Sequence, residues 1–246
     1  MDKQPILSVK DLSSGYKDRV IFEDLSFNIN PREVYGLVGL NGIGKTTLIK
    51  TILGLKDPIK GDVIVSSMHE GKAFNKSDIA YLPERFDPPW FLSGYEFLKF
   101  SLSLYGKKIT FDEAAHAATG ISLDPNYLKK RVNAYSKGMR QKLGLLATVL
   151  TQCPIMILDE PMSGLDPKAR SEVKALIKTV REQGRSILMS SHILADIREL
   201  CDRVAVFDSG VFVFEGTPAE MSTKGKDQNL ETAFLNILQN NNLKAA

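Results

Sequence analysis

The chain has 246 residues, 43% of them apolar and 25% charged, with a formal net charge of +3. Such a composition supplies a core of its own and fits one large domain or a core with a subdomain. It argues against a disordered chain, and the small charge gives no footprint for a nucleic-acid partner. The locally basic stretch Lys129-Lys130-Arg131, followed by Lys137, Arg140 and Lys142, reads as a solvated helix face. Cys153 and Cys201 lie in apolar surroundings without metal-ligand spacing, and read as buried small hydrophobes in a reducing compartment rather than as a disulfide. Met1-Asp2-Lys3-Gln4-Pro5 lacks the apolar core of a secretory signal, and no window approaches the roughly 18 uninterrupted apolar residues of a membrane span. The expectation is a soluble, cytoplasmic chain that serves any membrane process by docking on another polypeptide.

Residues 5 to 35 alternate apolar and polar, predicting strands over Ile6–Val9 and Phe22–Ile29, broken by a turn at Ser13-Ser14-Gly15. The run Val34–Val38 is a buried strand. A glycine-rich loop follows it, and helical spacing over Thr47–Leu53 stops at Gly54; Pro58 and Gly61 then turn the chain into a strand at Asp62–Val65. A second turn region with Gly71 and Asn75 leads to the strand Ile79–Leu82. From Pro83 the composition changes: Pro88-Pro89-Trp90 breaks the chain, and helical patterns over Tyr95–Leu104, Asp112–Thr119 and Ser136–Leu150 form a helical insertion. Two further buried strands end in polar residues, Ile155–Leu158 in Asp159-Glu160 and Ser186–Met189 in Ser190-Ser191-His192. Residues 202 to 216 read as a closing β pair with its turn at Ser209-Gly210. Leu230–Leu238 is a short amphipathic helix, after which Asn240-Asn241-Asn242 and the terminus fray. No internal repeat is visible.

The most specific signal is Gly39-Leu40-Asn41-Gly42-Ile43-Gly44-Lys45-Thr46-Thr47, delivered by a strand to a helix N-terminus. Glycines let the backbone curl so that its N–H groups turn onto anionic oxygens, and the positive helix end adds field in the same direction. This is the Walker A pattern in full, in which Lys45 bridges the outer phosphates and Thr46 holds Mg2+. The plainer alternative, a glycine-rich turn capping an ordinary helix, is weakened by the strand–loop–helix context. Asp159, at the end of an apolar strand, fits the Walker B aspartate that orients Mg2+ and its waters, and Glu160 beside it can take a proton from the water attacking a γ-phosphate. His192 could contact that phosphate and hold the water, although a lone histidine is more often structural. In an open α/β sheet these groups converge outside the carboxyl ends of the strands.

The ordered motifs Gly39–Thr47, Tyr135-Ser136-Lys137-Gly138-Met139-Arg140-Gln141, Ile155–Pro161, Ser163-Gly164-Leu165-Asp166 and His192 resemble the ATP-binding cassette (ABC) family of transporter ATPases over about residues 5 to 220. The resemblance implies an α/β P-loop cassette: a mixed-sheet, RecA-like core with an antiparallel β subdomain and a helical subdomain. It divides the chain into a core with β subdomain (1–86 and 153–220), a helical signature subdomain (87–152) and a C-terminal helix and tail (221–246). It implies a head-to-tail dimer with two Mg-ATP at the interface, where Ser136, Lys137, Gly138 and Met139 of one copy face the γ-phosphate held by Lys45 of the other. Asp166 then lies on the dimer seam, Tyr16 stacks on adenine, and Glu84 joins Thr46 and Asp159 near the metal.

Three departures from the usual signature and loop stand out: Lys137 replaces a glycine, Met139 replaces the glutamine of Leu-Ser-Gly-Gly-Gln, and Glu84 in Tyr81-Leu82-Pro83-Glu84 replaces a glutamine. They favour the type-2 exporter branch, with its sodium, drug, antibiotic-resistance and polysaccharide or lipid exporters. The aromatic segment 84–105 falls where the family docks a membrane permease, with core packing as the competing account. The implied location is the inner face of the cell membrane, through that permease. Non-transport cassettes of the repair or translation type are the alternative, but no heptad pattern fills the 90 residues between Lys45 and Ser136. A P-loop kinase leaves the signature and His192 unexplained, and a subunit that only binds ATP has no need of both Glu160 and His192.

Overall fold

The computed structural model describes residues 4–17, 19–66 and 78–245. Strands β1 (Leu7–Tyr16), β2 (Arg19–Ile29) and β4 (Lys60–Val65) form an antiparallel sheet in the order β2-β1-β4. A six-stranded sheet contains β3 (Val34–Val38), β5 (Ile79–Leu82), β6 (Ile155–Leu158), β7 (Ser186–Ser191), β8 (Arg203–Asp208) and β9 (Val211–Gly216) in the order β5-β6-β7-β3-β8-β9. All its neighbours are parallel except β8 and β9, so the sheet is mixed, as expected. The strands read as continuous apolar runs because both faces are covered. Tyr35, Leu37, Ile157 and Leu188 pack with the small sheet and with Leu48 and Ile49 of α1 (Lys45–Ile52). Alternate residues Val34, Val38, Met156, Leu158, Ile187 and Met189 pack against α5 (Pro167–Glu182), α6 (Leu194–Leu200) and the C-terminal α8 (Leu230–Ala245).

A third cluster belongs to the helices between β5 and β6: α2 (Gly94–Ser103), α3 (Phe111–Thr119) and α4 (Lys137–Leu150), centred on Leu98, Leu102, Leu128, Leu143 and Leu146. α2 and α3 start at capping boxes, Ser93 with Glu96 and Thr110 with Glu113, each pair satisfying two otherwise orphan backbone donors. A short helix α7 (Pro218–Lys224) precedes α8 and is also opened by a capping box, Thr217 with Glu220.

Several expectations are corrected. Ser13-Ser14-Gly15 does not break β1; the strand runs through these residues with register shifts, and their hydroxyls are bonded in place. Ser13 Oγ accepts from the Asp24 N–H at 2.9 Å and Ser14 Oγ from Thr51 Oγ1 at 3.1 Å, so residues typical of turns here serve β-bulges. The C-terminal helix does not fray after Leu238: it continues through Asn240-Asn241-Asn242 to Ala245, and Asn241 Nδ2 donates to Asp208 Oδ2 at 3.3 Å. The helix α5 was not foreseen, although its signals stand in the sequence: Asp166 caps Pro167 at the first turn, and Ala169, Val173, Ile177 and Val180 recur at helical spacing. The turn expected around Gly71 and Asn75 lies outside the described residues. Both cysteines are buried.

Phe207, fully buried at the end of β8, meets Phe22 and Phe212 edge-on, with ring centroids 6.3 and 5.8 Å away. It also closes the underside of the glycine loop, since a Cβ on Gly44 would stand 3.1 Å from its ring. Phe207→Ala should therefore cost about 3–5 kcal/mol in urea-induced unfolding. A loss of under about 1 kcal/mol would mean that this ring does not carry the packing beneath the loop.

Candidate active site

The order β5-β6-β7-β3 places four polar strand ends side by side: Glu84 beyond β5, Asp159 and Glu160 beyond β6, Ser190, Ser191 and His192 at the end of β7, and the glycine loop beyond β3. A cavity of about 300 Å3 opens there, lined by Asn41, Gly42, Gly44, Lys45, Thr46, Thr47, Glu84, Asp159 and Glu160. Gly42 and Gly44 adopt φ of 77° and 120°, values that a side chain resists, and a Cβ on Gly44 would also stand 2.5 Å from Ile21 Cγ2. Gly39 is fixed by a different limit, because its Cβ would lie 2.6 Å from the Phe207 carbonyl oxygen. Leu40 and Ile43 complete the loop, closed by the Ile43 N–H bonding to Leu40 O at 3.4 Å.

Lys45 opens α1 and is 6% exposed. Its ammonium donates to the carbonyls of Gly39 at 2.7 Å and Leu40 at 3.2 Å, and stands 3.7 Å from Glu160 Oε1. Burial lowers its pKa, and the carboxylates of Glu160, Asp159 and Glu84 oppose that shift. Thr46 Oγ1 donates to Asp159 Oδ2 at 2.8 Å, so the Walker A hydroxyl and Walker B carboxylate already meet. Glu160 holds a left-handed backbone, φ 49°, and His192 Nδ1 lies 2.8 Å from its Oε2. Its other carboxylate oxygen, the one 3.7 Å from Lys45, is buried and has no hydrogen-bond partner among the described residues, leaving an acceptor at the pocket floor. Among the described residues no cluster of three or more His, Cys, Asp or Glu could hold a metal by itself. One carboxylate and one hydroxyl suit an Mg2+ that takes its remaining ligands from phosphate and water.

Other expected site residues stand apart from this cavity. Ser136 caps α4, its Oγ accepting from the Met139 N–H at 3.2 Å. Lys137 lines a second cavity of about 250 Å3 with Arg85, Phe86 and Arg140, to which Glu84 also belongs. Gly138 lies in the first turn of α4 with room around it; its Cβ would find only Leu165 Cδ2 and Ser136 Oγ, at 3.6 and 4.0 Å. None of Ser136, Lys137, Gly138 and Met139 lines the cavity at Lys45. Asp166 caps α5, accepting from the Ala169 N–H at 2.9 Å. Tyr16 is 56% exposed at the end of β1, with Lys56 Nζ 4.2 Å from its ring centre, and does not line the cavity.

The aromatic segment divides in two. Phe86 and Phe97 turn inward, edge-on at 5.5 Å, whereas Trp90 and Phe91 are 65% and 57% exposed and pack on each other at 5.8 Å. Sequence reasoning missed the role of Gln141, whose buried Nε2 donates to Pro161 O at 3.1 Å and ties α4 to the loop after Glu160. It placed Ser190 only in the polar end of its strand and gave it no role, whereas the hydroxyl bonds both Asp159 and Glu160.

Fold and pocket together define a P-loop nucleotide hydrolase of the cassette type. A family model for ABC transporters matches residues 22–163, and the chain belongs to the ABC transporter family as an ATP-binding, ATP-hydrolysing subunit. It is 35% identical over 211 residues to the uncharacterized ABC transporter ATP-binding protein YhcH of Bacillus subtilis (strain 168), covering 85% of this chain and 68% of that protein. It is 30% identical to the lantibiotic transport ATP-binding protein SrtF of Streptococcus pyogenes over 94% of this chain and 96% of that one. A solved ATP-binding subunit of an ABC transporter superposes with a TM-score of 0.84 at 29% identity, covering 95% of this chain and 99% of that one. The dimeric post-hydrolysis state of an ATP-binding cassette, bound to ADP and Pi, has a TM-score of 0.75 at 19% identity over 86% and 98% of the two chains, and shares the fold. With transporter subunits as its relatives, the chain is not favoured as a repair or translation cassette.

Lys45→Ala should remove the response to nucleotide. At a concentration a hundredfold above Kd, ATP with Mg2+ should stabilise the native chain by about 2.7 kcal/mol and the variant by none. Equal shifts in thermal unfolding would free Lys45 of any part in binding.

Proposed function

We propose that two copies of this cassette, or this chain and a related subunit, close head to tail around two Mg-ATP and drive a separate membrane permease, with export as the direction. The observation that carries the reading is Glu160, held between His192 at 2.8 Å and Lys45 at 3.7 Å, with one carboxylate oxygen that accepts no hydrogen bond among the described residues. In this reading the glycine loop wraps the phosphates and Lys45 exchanges its carbonyl partners for phosphate oxygens. Thr46 and Asp159 would hold Mg2+, with Glu84 near its waters; the ion neutralises charge on the outer phosphates. Water attacks the γ-phosphorus, its proton passes to Glu160, and ADP leaves as inorganic phosphate forms. His192 keeps the carboxylate aimed and contacts the γ-phosphate.

The second half of each site comes from the other copy. The signature residues do not line the cavity of their own chain, which supports supply in trans from Ser136, Lys137, Gly138 and Met139, with Asp166 on the seam. The positive N-terminus of α4, capped by Ser136, would then face the γ-phosphate held by the other copy. Tyr16, exposed and already faced by a lysine, is available to stack on adenine. The helical unit, 87–152, is proposed to turn against the core, 1–86 and 153–220, and the C-terminal segment, 221–246, to ride with the core.

Among the described residues no helix is long and apolar enough to cross a membrane, and the permease is read as a separate protein. Its contact is assigned to the exposed part of 84–105, led by Trp90 and Phe91, which would hold the chain at the inner face of the membrane. Lys137, Met139 and Glu84, together with the likeness to a lantibiotic transport protein, support the type-2 exporter branch.

Glu160→Gln should slow ATP hydrolysis by about 100-fold or more while ATP still binds, accumulating a closed dimer on size-exclusion chromatography. Full turnover in that variant would remove Glu160 from its role. Replacing both Trp90 and Phe91 by Ala should leave basal ATPase within about twofold but reduce co-purification with the permease at least about tenfold. Unchanged co-purification would move the contact elsewhere.

A further inference from the structure

Two strands meet at one hydroxyl beneath the pocket. Ser190 stands on β7 opposite Leu37 of β3, fully buried, and its predecessor Met189 faces Leu158 of β6. Ile187, Leu188 and Met189 before it fill the two hydrophobic cores, so a polar side chain here is costly unless its hydrogen-bonding capacity is met. It is met on both sides: Ser190 Oγ donates to Asp159 Oδ1 at 2.5 Å and accepts from the Glu160 N–H at 2.8 Å. The directions are fixed, because a carboxylate only accepts, an amide N–H only donates, and the hydroxyl has a single proton. The far oxygen of Asp159 is held by Thr46 at 2.8 Å.

The amide that Ser190 captures belongs to a residue in the left-handed region, where non-glycine residues persist only if their surroundings hold them. From that backbone the Glu160 side chain reaches His192 and the vicinity of Lys45. Ser190 itself does not line the nucleotide cavity. We propose that Ser190 is a positioning residue for ATP hydrolysis: its hydroxyl locks the strained turn that aims Glu160 and ties Asp159 to the same strand. This rests on the reading of Glu160 as the proton acceptor. Alanine at this position leaves a buried N–H without an acceptor and a carboxylate oxygen without its donor, so the turn relaxes and the base drifts. The contacts of Gly42, Gly44 and Lys45 to phosphate are untouched.

The test uses the full chain with Ser190→Ala and Ser190→Thr, measuring kcat and KM, ATP affinity with Mg2+ by calorimetry, and the thermal unfolding midpoint. Ser190→Ala should lower kcat about 10- to 100-fold while KM and Kd stay within about threefold. Ser190→Thr, which keeps the hydroxyl, should recover most of that loss. A kcat within about twofold of wild type in Ser190→Ala would overturn the proposal, as would loss of binding in step with turnover or a folded threonine variant as slow as alanine. Should the threonine methyl prevent folding, the split between kcat and Kd in the alanine variant decides. Glu160→Gln measured alongside separates the two claims: if it stops turnover and Ser190→Ala does not, only the positioning role fails.

Discussion

Burying a lysine ammonium is unfavourable unless oxygen atoms surround it, and this fold provides them at the ends of its central strands. Gly39 and Leu40 offer carbonyls from the loop after β3, and Glu160 offers a carboxylate from the loop after β6. Parallel pairing makes this possible, since every strand in the row β5-β6-β7-β3 exits on the same side. Once Lys45 is fixed, other positions follow from it. Thr46 is the next residue on α1 and meets Asp159, and Glu160 is held between the lysine and His192. The pocket is built around one positive charge at the start of a helix, which suits a polyanion and explains why three acidic residues can line it.

The same economy links the pocket to the rest of the molecule. Phe207 supports the glycine loop from below, Gln141 ties the signature helix to Pro161, and Phe86 packs against both the helical cluster and one face of the large sheet. The helix α5, which begins at Asp166, is joined to α6, which follows His192, through Arg170 and Lys174 on the buried carboxylate of Asp196, at 2.6 and 2.9 Å. Separating the two helices would leave the buried carboxylate of Asp196 without compensation.

Much of this was legible because the code was local. Buried strands are continuous apolar runs, and their ends announce themselves by an abrupt change to Asp159-Glu160 or to Ser190-Ser191-His192. The glycine loop was legible for the same reason: its conformation demands glycine whatever surrounds it. Apart from α5, whose cap and helical spacing stand in the local sequence, the failures are tertiary. Ser13-Ser14-Gly15 has turn composition, yet bonds to Asp24 and Thr51, distant in sequence, draw it into a bulged strand. Asn240 to Asn242 are poor helix residues, and a contact with Asp208 accompanies the helix that contains them. Aromatic content marked 84–105 without separating inward Phe86 and Phe97 from outward Trp90 and Phe91, a distinction set by which neighbours the chain brings near. That none of Ser136 to Met139 lines the cavity of Lys45 in the same chain could be seen only once both had coordinates.

The central claim is that each reactive pocket is shared between two copies of the cassette. The most direct measurement mixes a Lys45→Ala chain with a Ser136→Glu chain, each inactive alone, and follows phosphate release with ATP and Mg2+. In a head-to-tail pair one of the two pockets regains both an intact Lys45 and an intact Ser136, so the mixture should hydrolyse ATP well above either variant alone. A mixture no more active than its components, under conditions where the two chains are shown to associate, would contradict the shared pocket.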